Sequence, residues 1–286
     1  MMDSSDFLIS RLNLYKNKYC IFVGAGISIC SGVPLATYDI PDLPSIVSNI
    51  RKDFYSSLGL PPLNDSQLFS WFVDQKLLQN PATLYSDALN LIGDTPRARQ
   101  HYLRRFFDNK KPGKCHQSIS RIVENGYIDI LLTTNFDSLL EDALRANDGC
   151  SNPKVAAHTD AINDILLTEP GPKIAKLHGD YLFSDIKNTE EETRTLTDNM
   201  RNKLRSVLGE RGLLVIGYSG NDNSVMSLLE QMGYDGGFFP YGLYWIFKEA
   251  NPPGKRVKDL IDKTGGKLLP IYDAESLLLT ISKRLV

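Results

Sequence analysis

Six short runs of almost uninterrupted apolar residues, at 19–23, 128–132, 174–177, 213–216, 244–247 and 267–271, recur along this 286-residue chain. Each is too short for a buried helix and too continuous for a strand with one wet face. What remains is a strand buried on both sides, which implies a parallel sheet covered by helices. Helical patterns fill the intervals. Residues 137–145 put Leu140 and Leu144 on one face, and residues 223–232 put Val225, Leu228, Leu229 and Met232 on another. Further helices are expected at 6–15 and 274–285. The expected fold class is therefore α/β, a Rossmann-like parallel sheet of about six strands with helices on both faces.

One region breaks this rhythm. Residues 35–112 offer helix-like stretches, at 67–78 and 97–107, but no clear strand, and are read as a helical insertion module. The insertion separates the first two strands by roughly a hundred residues, where an ordinary βαβ unit needs about thirty. A single domain over 1–286 carrying this insertion is expected, either complete or as the catalytic module of a longer protein or complex.

Charge excludes some partners. With 32 Lys plus Arg against 34 Asp plus Glu, no strong field favours a polyanion, so direct nucleic-acid binding is not indicated. No segment reaches the roughly 18 apolar residues that span a bilayer, and the N-terminus lacks a signal-peptide core. A soluble, cytoplasmic protein without membrane contact is expected. Cys20, Cys30, Cys115 and Cys150 form no C-x-x-C pair and are read as free thiols. His101, His116, His158 and His178 lack the spacing of a known helix-borne metal motif, so no metal is expected.

The first strand runs into Gly24-Ala25-Gly26-Ile27-Ser28, followed by Ser31-Gly32-Val33-Pro34. Glycines here allow positive φ and close backbone approach, and the N–H groups of a following helix suit a diphosphate. A tight turn without a ligand is the other reading. The usual dinucleotide fingerprint needs a third glycine where this chain has Ile29, and an acid at the end of a second strand. Asp39 and Asp42 follow no strand, and no Gly-Lys-Ser/Thr completes a Walker loop. A hydride-transferring dehydrogenase and a P-loop nucleotidase are both disfavoured.

Ligands of open parallel sheets sit beyond the carboxyl ends of the strands. Three such ends are polar: Thr133-Thr134-Asn135-Phe136-Asp137, His178-Gly179-Asp180, and Gly217-Tyr218-Ser219-Gly220-Asn221-Asp222. Asp137 either caps the next helix or meets a ligand, and Asn135 either satisfies turn amides or acts in chemistry. His178 closes its strand or, with a glycine beside it, accepts a proton from a ligand. Gly217 and Gly220 serve a bare turn or backbone contact with a ribose. Asn221 and Asp222 are explained by a cap on the helix that follows.

The order of these motifs resembles the sirtuin family. GAGIS with SGVP is similar to the sirtuin G-A-G-x-S and S-G-I-P elements, TTNFD to T-Q-N-I-D, LHG to the segment holding the catalytic histidine, and GYSGND to the later G-T-S turn. Together they span residues 24–222. Two departures bear on activity. Sirtuin deacylases carry two Cys pairs for structural zinc and a Phe-Arg after S-G-I-P-D, whereas this chain has no Cys pairs and reads Leu35-Ala36-Thr37-Tyr38. Thr134 also replaces the motif's Gln. The pattern is closer to the sirtuin-like NAD hydrolases of bacterial anti-phage defence systems, which lack the zinc module and keep the Asn and the His.

The resemblance implies an NAD hydrolase that cleaves the nicotinamide–ribose bond, with NAD as substrate, Asn135 placing a water or the ribose, and His178 taking a proton. It implies that Gly24, Ala25, Gly26 and Ser28 hold the diphosphate and Asp137 the nicotinamide amide. Thr133 also belongs to the implied NAD-binding set, and Gly217, Tyr218 and Ser219 face the adenosine side. A homo-oligomer, or a partner or sensor subunit or domain, is expected to control the activity, with the helical insertion as lid. A protein deacylase, an ADP-ribosyltransferase and a non-catalytic NAD or ADP-ribose sensor remain as alternatives.

Overall fold

The apolar runs become neighbouring strands of one sheet in a computed structural model that describes residues 3–37, 44–80, 83–146, 152–157, 169–178 and 198–286. The strands are β1 (Tyr19–Val23), β2 (Ile128–Thr133), β3 (Lys154–Ala156), β4 (Lys173–Lys176), β5 (Gly212–Ile216), β6 (Leu243–Lys248) and β7 (Lys267–Ile271). Their order is β3-β4-β2-β1-β5-β6-β7, and every neighbouring pair is parallel. The sheet thus has seven strands where about six were expected. The additional one, β3, is a three-residue edge strand with an exposed Lys154, too short to leave a pattern. Strand β4 also lies one residue earlier than its apolar run, because both of its ends are lysines that are nevertheless buried.

Alternation along the strands decides where the two faces go. Cys20, Phe22, Ile130, Leu132, Leu213, Val215, Leu243 and Trp245 point into one core, and Tyr19, Ile21, Val23, Ile128, Leu131, Leu214, Ile216, Tyr244 and Ile246 into the other. Ile128 and Leu131 share a face despite their odd spacing, because the register with β1 slips between Tyr19 and Cys20. Asp129 sits at that slip and pairs with Arg211 at 2.6 Å.

The first face is covered by α8 (Asp198–Glu210), α9 (Asn223–Asp235) and α10 (Lys255–Thr264), and the second by α1 (Ser4–Leu14), α6 (Lys114–Glu124), α7 (Leu139–Arg145) and α11 (Ala274–Leu285). Side-chain caps begin several of them: Asp3 for α1, Asp222 for α9 and Asp273 for α11. Gly265 ends α10 in the left-handed conformation. Helices α6, α8 and α10 lie outside the helices expected from sequence, although α8 buries a regular stripe of Met200, Leu204, Val207 and Leu208 and α10 one of Val257, Leu260 and Ile261; in α6 the buried stripe includes His116, Ser118 and Ser120.

The insertion contains α2 (Ile46–Ser57), α3 (Asp65–Asp74), α4 (Leu84–Ile92) and α5 (Pro96–Phe107), and no strand among its described residues. Ser45 caps α2, Asn64 and Gln67 form a reciprocal capping box on α3, and Thr95 with Pro96 starts α5. Ile50, Ala88, Leu89 and Leu103, all fully buried, form the centre of a separate core. That core also takes Val33 and Leu139, with Phe136 packed against it, so the insertion rests on the turns that follow both β1 and β2. Cys150, His158, Tyr38, Asp39 and Asp42 lie outside the described residues. No helix among the described residues is long and apolar enough to cross a membrane.

Strand order reverses at β1, whose neighbours β2 and β5 lead to opposite halves of the sheet. A crevice at the carboxyl ends of β1, β2 and β5 follows from that topology. Because the insertion has its own core, Leu89→Ala should lower stability to urea by about 2–5 kcal/mol. A loss below about 1 kcal/mol would contradict this packing.

Candidate active site

The turns after β1 and β5 meet backbone to backbone. Gly24 N donates to Ile216 O at 3.0 Å and Gly26 N to Gly217 O at 2.9 Å. A Cβ on Gly24 would lie 2.5 Å from Gly217 O and 2.7 Å from Tyr218 Cα, and one on Gly26 would lie 2.9 Å from Gly217 Cα. Gly24 is extended and Gly26 lies within a short 3-10 helix, Ala25–Ser31, so neither uses positive φ. This corrects part of the expectation from sequence. The positive φ values belong to Gly32, Gly217 and Gly220, and the first two glycines serve close approach to another turn of the protein. Gly220 is likewise needed within the fold, where a Cβ would meet Val257 Cγ2 at 2.5 Å.

Below this contact lies a buried polar network. Asn135 Nδ2 donates to Gly24 O at 3.2 Å and to Ser28 Oγ at 3.1 Å, so its amide nitrogen faces the β1 turn. Ser28 Oγ donates to Asp137 Oδ2 at 2.8 Å, and Leu139 N donates to Asp137 Oδ1 at 3.2 Å. Thr133 Oγ1 donates to Val23 O and accepts from Asn135 N, both at 2.9 Å. Ser28 and Thr133 are each 1% exposed, which makes them supports of Asn135 and Asp137. Asn135 keeps its Oδ1 without a partner among the described residues, an acceptor available to a water or hydroxyl.

His116, on α6, completes the network and was not singled out from sequence as a site residue. Its Nε2 lies 3.5 Å from Ser28 Oγ and its Nδ1 lies 3.4 Å from Ser31 Oγ. With Nε2–H donating, Ser28 Oγ gives one bond and accepts two, which satisfies it fully. The signal for His116 was its place on the buried stripe of a helix with Ile119 and Ile122. Lys176, at the end of β4, was also missed. It is fully buried, donates to Asp137 O and Phe136 O, and pairs with Glu141 at 3.1 Å, anchoring the β2 turn from beneath.

His178 lies two residues beyond β4, and its ring centre is 6.5 Å from that of Phe136, the neighbour of Asn135. Nε2 of His178 lies 2.8 Å from Asp222 Oδ2 and 3.2 Å from Ser224 Oγ. Burial alone would raise the Asp222 carboxyl, but the His178 imidazole and the donors Ser224 and Val225 outweigh it and hold the carboxyl below its ordinary value. Asp222 therefore does more than cap α9, the only role read for it in the sequence.

The remaining residues of the predicted set spread along the rim. Ala25, Gly26 and Gly217 are partly exposed and Ser219 is exposed. The Tyr218 ring packs on Phe22 at 4.6 Å and on Trp245 at 5.8 Å. Gly179 and Asp180 lie outside the described residues.

Residues 129–265 match the family model of the SIR2-like domain. No curated protein matches the chain. Among solved structures, the chain is similar to one titled as the structural basis for the mechanism and regulation of Sir2 enzymes, with 14% identity, a TM-score of 0.54, and 100% of this chain and 98% of that one covered. A Sir2 homologue in complex with ADP ribose is 14% identical at a TM-score of 0.51, covering 99% and 96%. A Sir2 structure with deacetylated p53 peptide and 3'-O-acetyl ADP ribose is 15% identical at 0.50, covering 99% and 98%. The fold is thus of the Sir2 type, an α/β sheet with helices.

Because rigid backbone surrounds the missing Cβ, Gly24→Ala should destabilise the protein by about 1–3 kcal/mol, read as a lower denaturation midpoint. An unchanged midpoint would mean that the two turns do not touch as described.

Proposed function

We propose that this protein is an NAD glycohydrolase that breaks the nicotinamide–ribose bond and releases nicotinamide and ADP-ribose. The observation that carries this reading is the junction of four chain turns at the sheet's reversal point. Asn135 is locked there by Gly24 O and Ser28 Oγ, and His178 lies one strand away with its second nitrogen, Nδ1, unpartnered among the described residues. The presence of ADP ribose in a Sir2 homologue of the same fold supports the choice of substrate.

The residues fit a dinucleotide. Partly exposed backbone at Ala25, Gly26 and Gly217, beside the buried Gly24, suits a diphosphate, and the Asp137 carboxylate retains lone pairs for an amide N–H of nicotinamide. Ser28 and Thr133 hold Asn135 and Asp137 in place, and Tyr218 and Ser219 border the adenosine side. When the C1'–N bond breaks, its electron pair neutralises the pyridinium, and positive charge develops on the ribose. Fixed dipoles in a site shielded from bulk water stabilise that charge. The Asn135 amide oxygen orients the attacking water, whose oxygen bonds to C1'. His178 accepts the water's proton.

The setting we propose is cytoplasmic anti-phage defence, with activity released when oligomerisation or a partner or sensor subunit completes the pocket. The insertion is suited to transmit that event, because its core holds Val33 and Leu139 next to both site turns.

Incubating the protein with labelled NAD, with and without acyl-peptide, tests the reading. Equal amounts of nicotinamide and free ADP-ribose are expected without peptide. Asn135→Ala and His178→Ala should each lower the rate by a factor on the order of 100 or more while the protein stays folded. Nicotinamide release only with acyl-peptide would mean a deacylase, and protein-bound label a transferase. No release under any condition, including with candidate activators, would leave a binding module and end the hydrolase reading.

A further inference from the structure

Asp222 has two oxygens with different duties. Oδ1 caps α9, accepting from Ser224 N at 2.8 Å, Val225 N at 3.3 Å and Ser224 Oγ at 2.8 Å. A helix cap needs only that oxygen. Oδ2 is buried and accepts no hydrogen bond among the described residues; the group that faces it is the His178 imidazole, whose Nε2 lies 2.8 Å away and hydrogen-bonds Ser224 Oγ at 3.2 Å. A carboxylate oxygen buried without a partner is costly, so the imidazole accounts for its placement.

The neighbouring groups leave this pairing undisturbed. Tyr218, from the same turn, is kept as a neutral phenol by burial, which pushes it well above its ordinary value. Arg256 on α10, the nearby cation, is bound by Glu230 at 2.5 Å and Asn223 at 2.7 Å. The imidazole therefore meets a carboxylate and a hydroxyl at Nε2, and the aromatic ring of Phe136 lies 6.5 Å from its own, centre to centre.

We propose that Asp222 is the positioning residue of the site: with Ser224 it holds His178 through Nε2–H, fixing the tautomer whose Nδ1 lone pair accepts the proton. This rests on the hydrolase reading. During cleavage, the proton leaving the attacking water bonds to Nδ1, and the carboxylate stabilises the resulting imidazolium until that proton passes to solvent. Asp222 touches no reacting atom in this account.

Asp222→Asn separates the two duties, because Asn caps a helix about as well as Asp but removes the charge facing Nε2. The full chain is used for two readouts. Nitrogen-15 NMR of the His178 ring, assigned with His178→Gln, should find the neutral ring protonated at Nε2 in the natural protein and a mixture of tautomers in Asp222→Asn. In parallel, kcat for NAD should fall by a factor on the order of 100 to 10,000 with little change in KM. The denaturation midpoint should stay near that of the natural protein.

An Nε2–H tautomer that persists in Asp222→Asn overturns the proposal, as does kcat within about twofold of the natural protein. If the variant's midpoint falls sharply, Ser224→Ala, which spares the cap, takes its place with the same NMR readout. A natural protein that never cleaves NAD would refute the hydrolase reading instead, and the tautomer measurement would still decide the pairing.

Discussion

Two stretches of backbone, at 24–26 and 217–218, touch with no side chain between them, and the site is built around that contact. The contact joins the carboxyl ends of β1 and β5 at the point where strand order reverses. It also sets Gly24 O where Asn135 can bond it at 3.2 Å. From Asn135 the chain of bonds continues through Ser28 to Asp137 and His116, all but sealed from water. Each donor in this network is matched to an acceptor. Such matching is what allows polar groups to be buried without a large penalty, and it restricts them to one arrangement.

Two further sets of contacts support the site. Lys176, fully buried, ties the β2 turn to Glu141 of α7 and so binds the turn to the helix that it introduces. The insertion's core encloses Val33 and Leu139. A movement of the insertion would therefore reach Ser28 and Asp137 through only a few residues. That coupling gives a physical route by which an oligomeric contact or a partner could govern the activity we propose.

Much of this was legible in the sequence, for identifiable reasons. The strands could be read because a sheet buried on both faces needs continuous apolar runs. Asn135, Asp137 and His178 could be picked out as candidates because they stand at the carboxyl ends of parallel strands, where ligands of such sheets sit. Other features left no such trace. Strand β3 is too brief, and the lysines at the ends of β4 look like solvent residues although they are buried. His116 lies 88 residues from Ser28, and Asp222 lies 44 residues from His178, so only folding brings each pair together. For the glycines of residues 24–26, the expected close backbone approach is seen, toward Gly217, whereas the expected positive φ is not.

The central claim is that the turns after β1, β2, β4 and β5 form one NAD site. The most direct test is a crystal structure with the carbocyclic NAD analogue, which cannot be hydrolysed. The account predicts the nicotinamide end among Asn135, Asp137 and His178, with the diphosphate against residues 24–26 and Gly217. An analogue bound elsewhere, or bound with its nicotinamide turned away from Asn135 and His178, would contradict it.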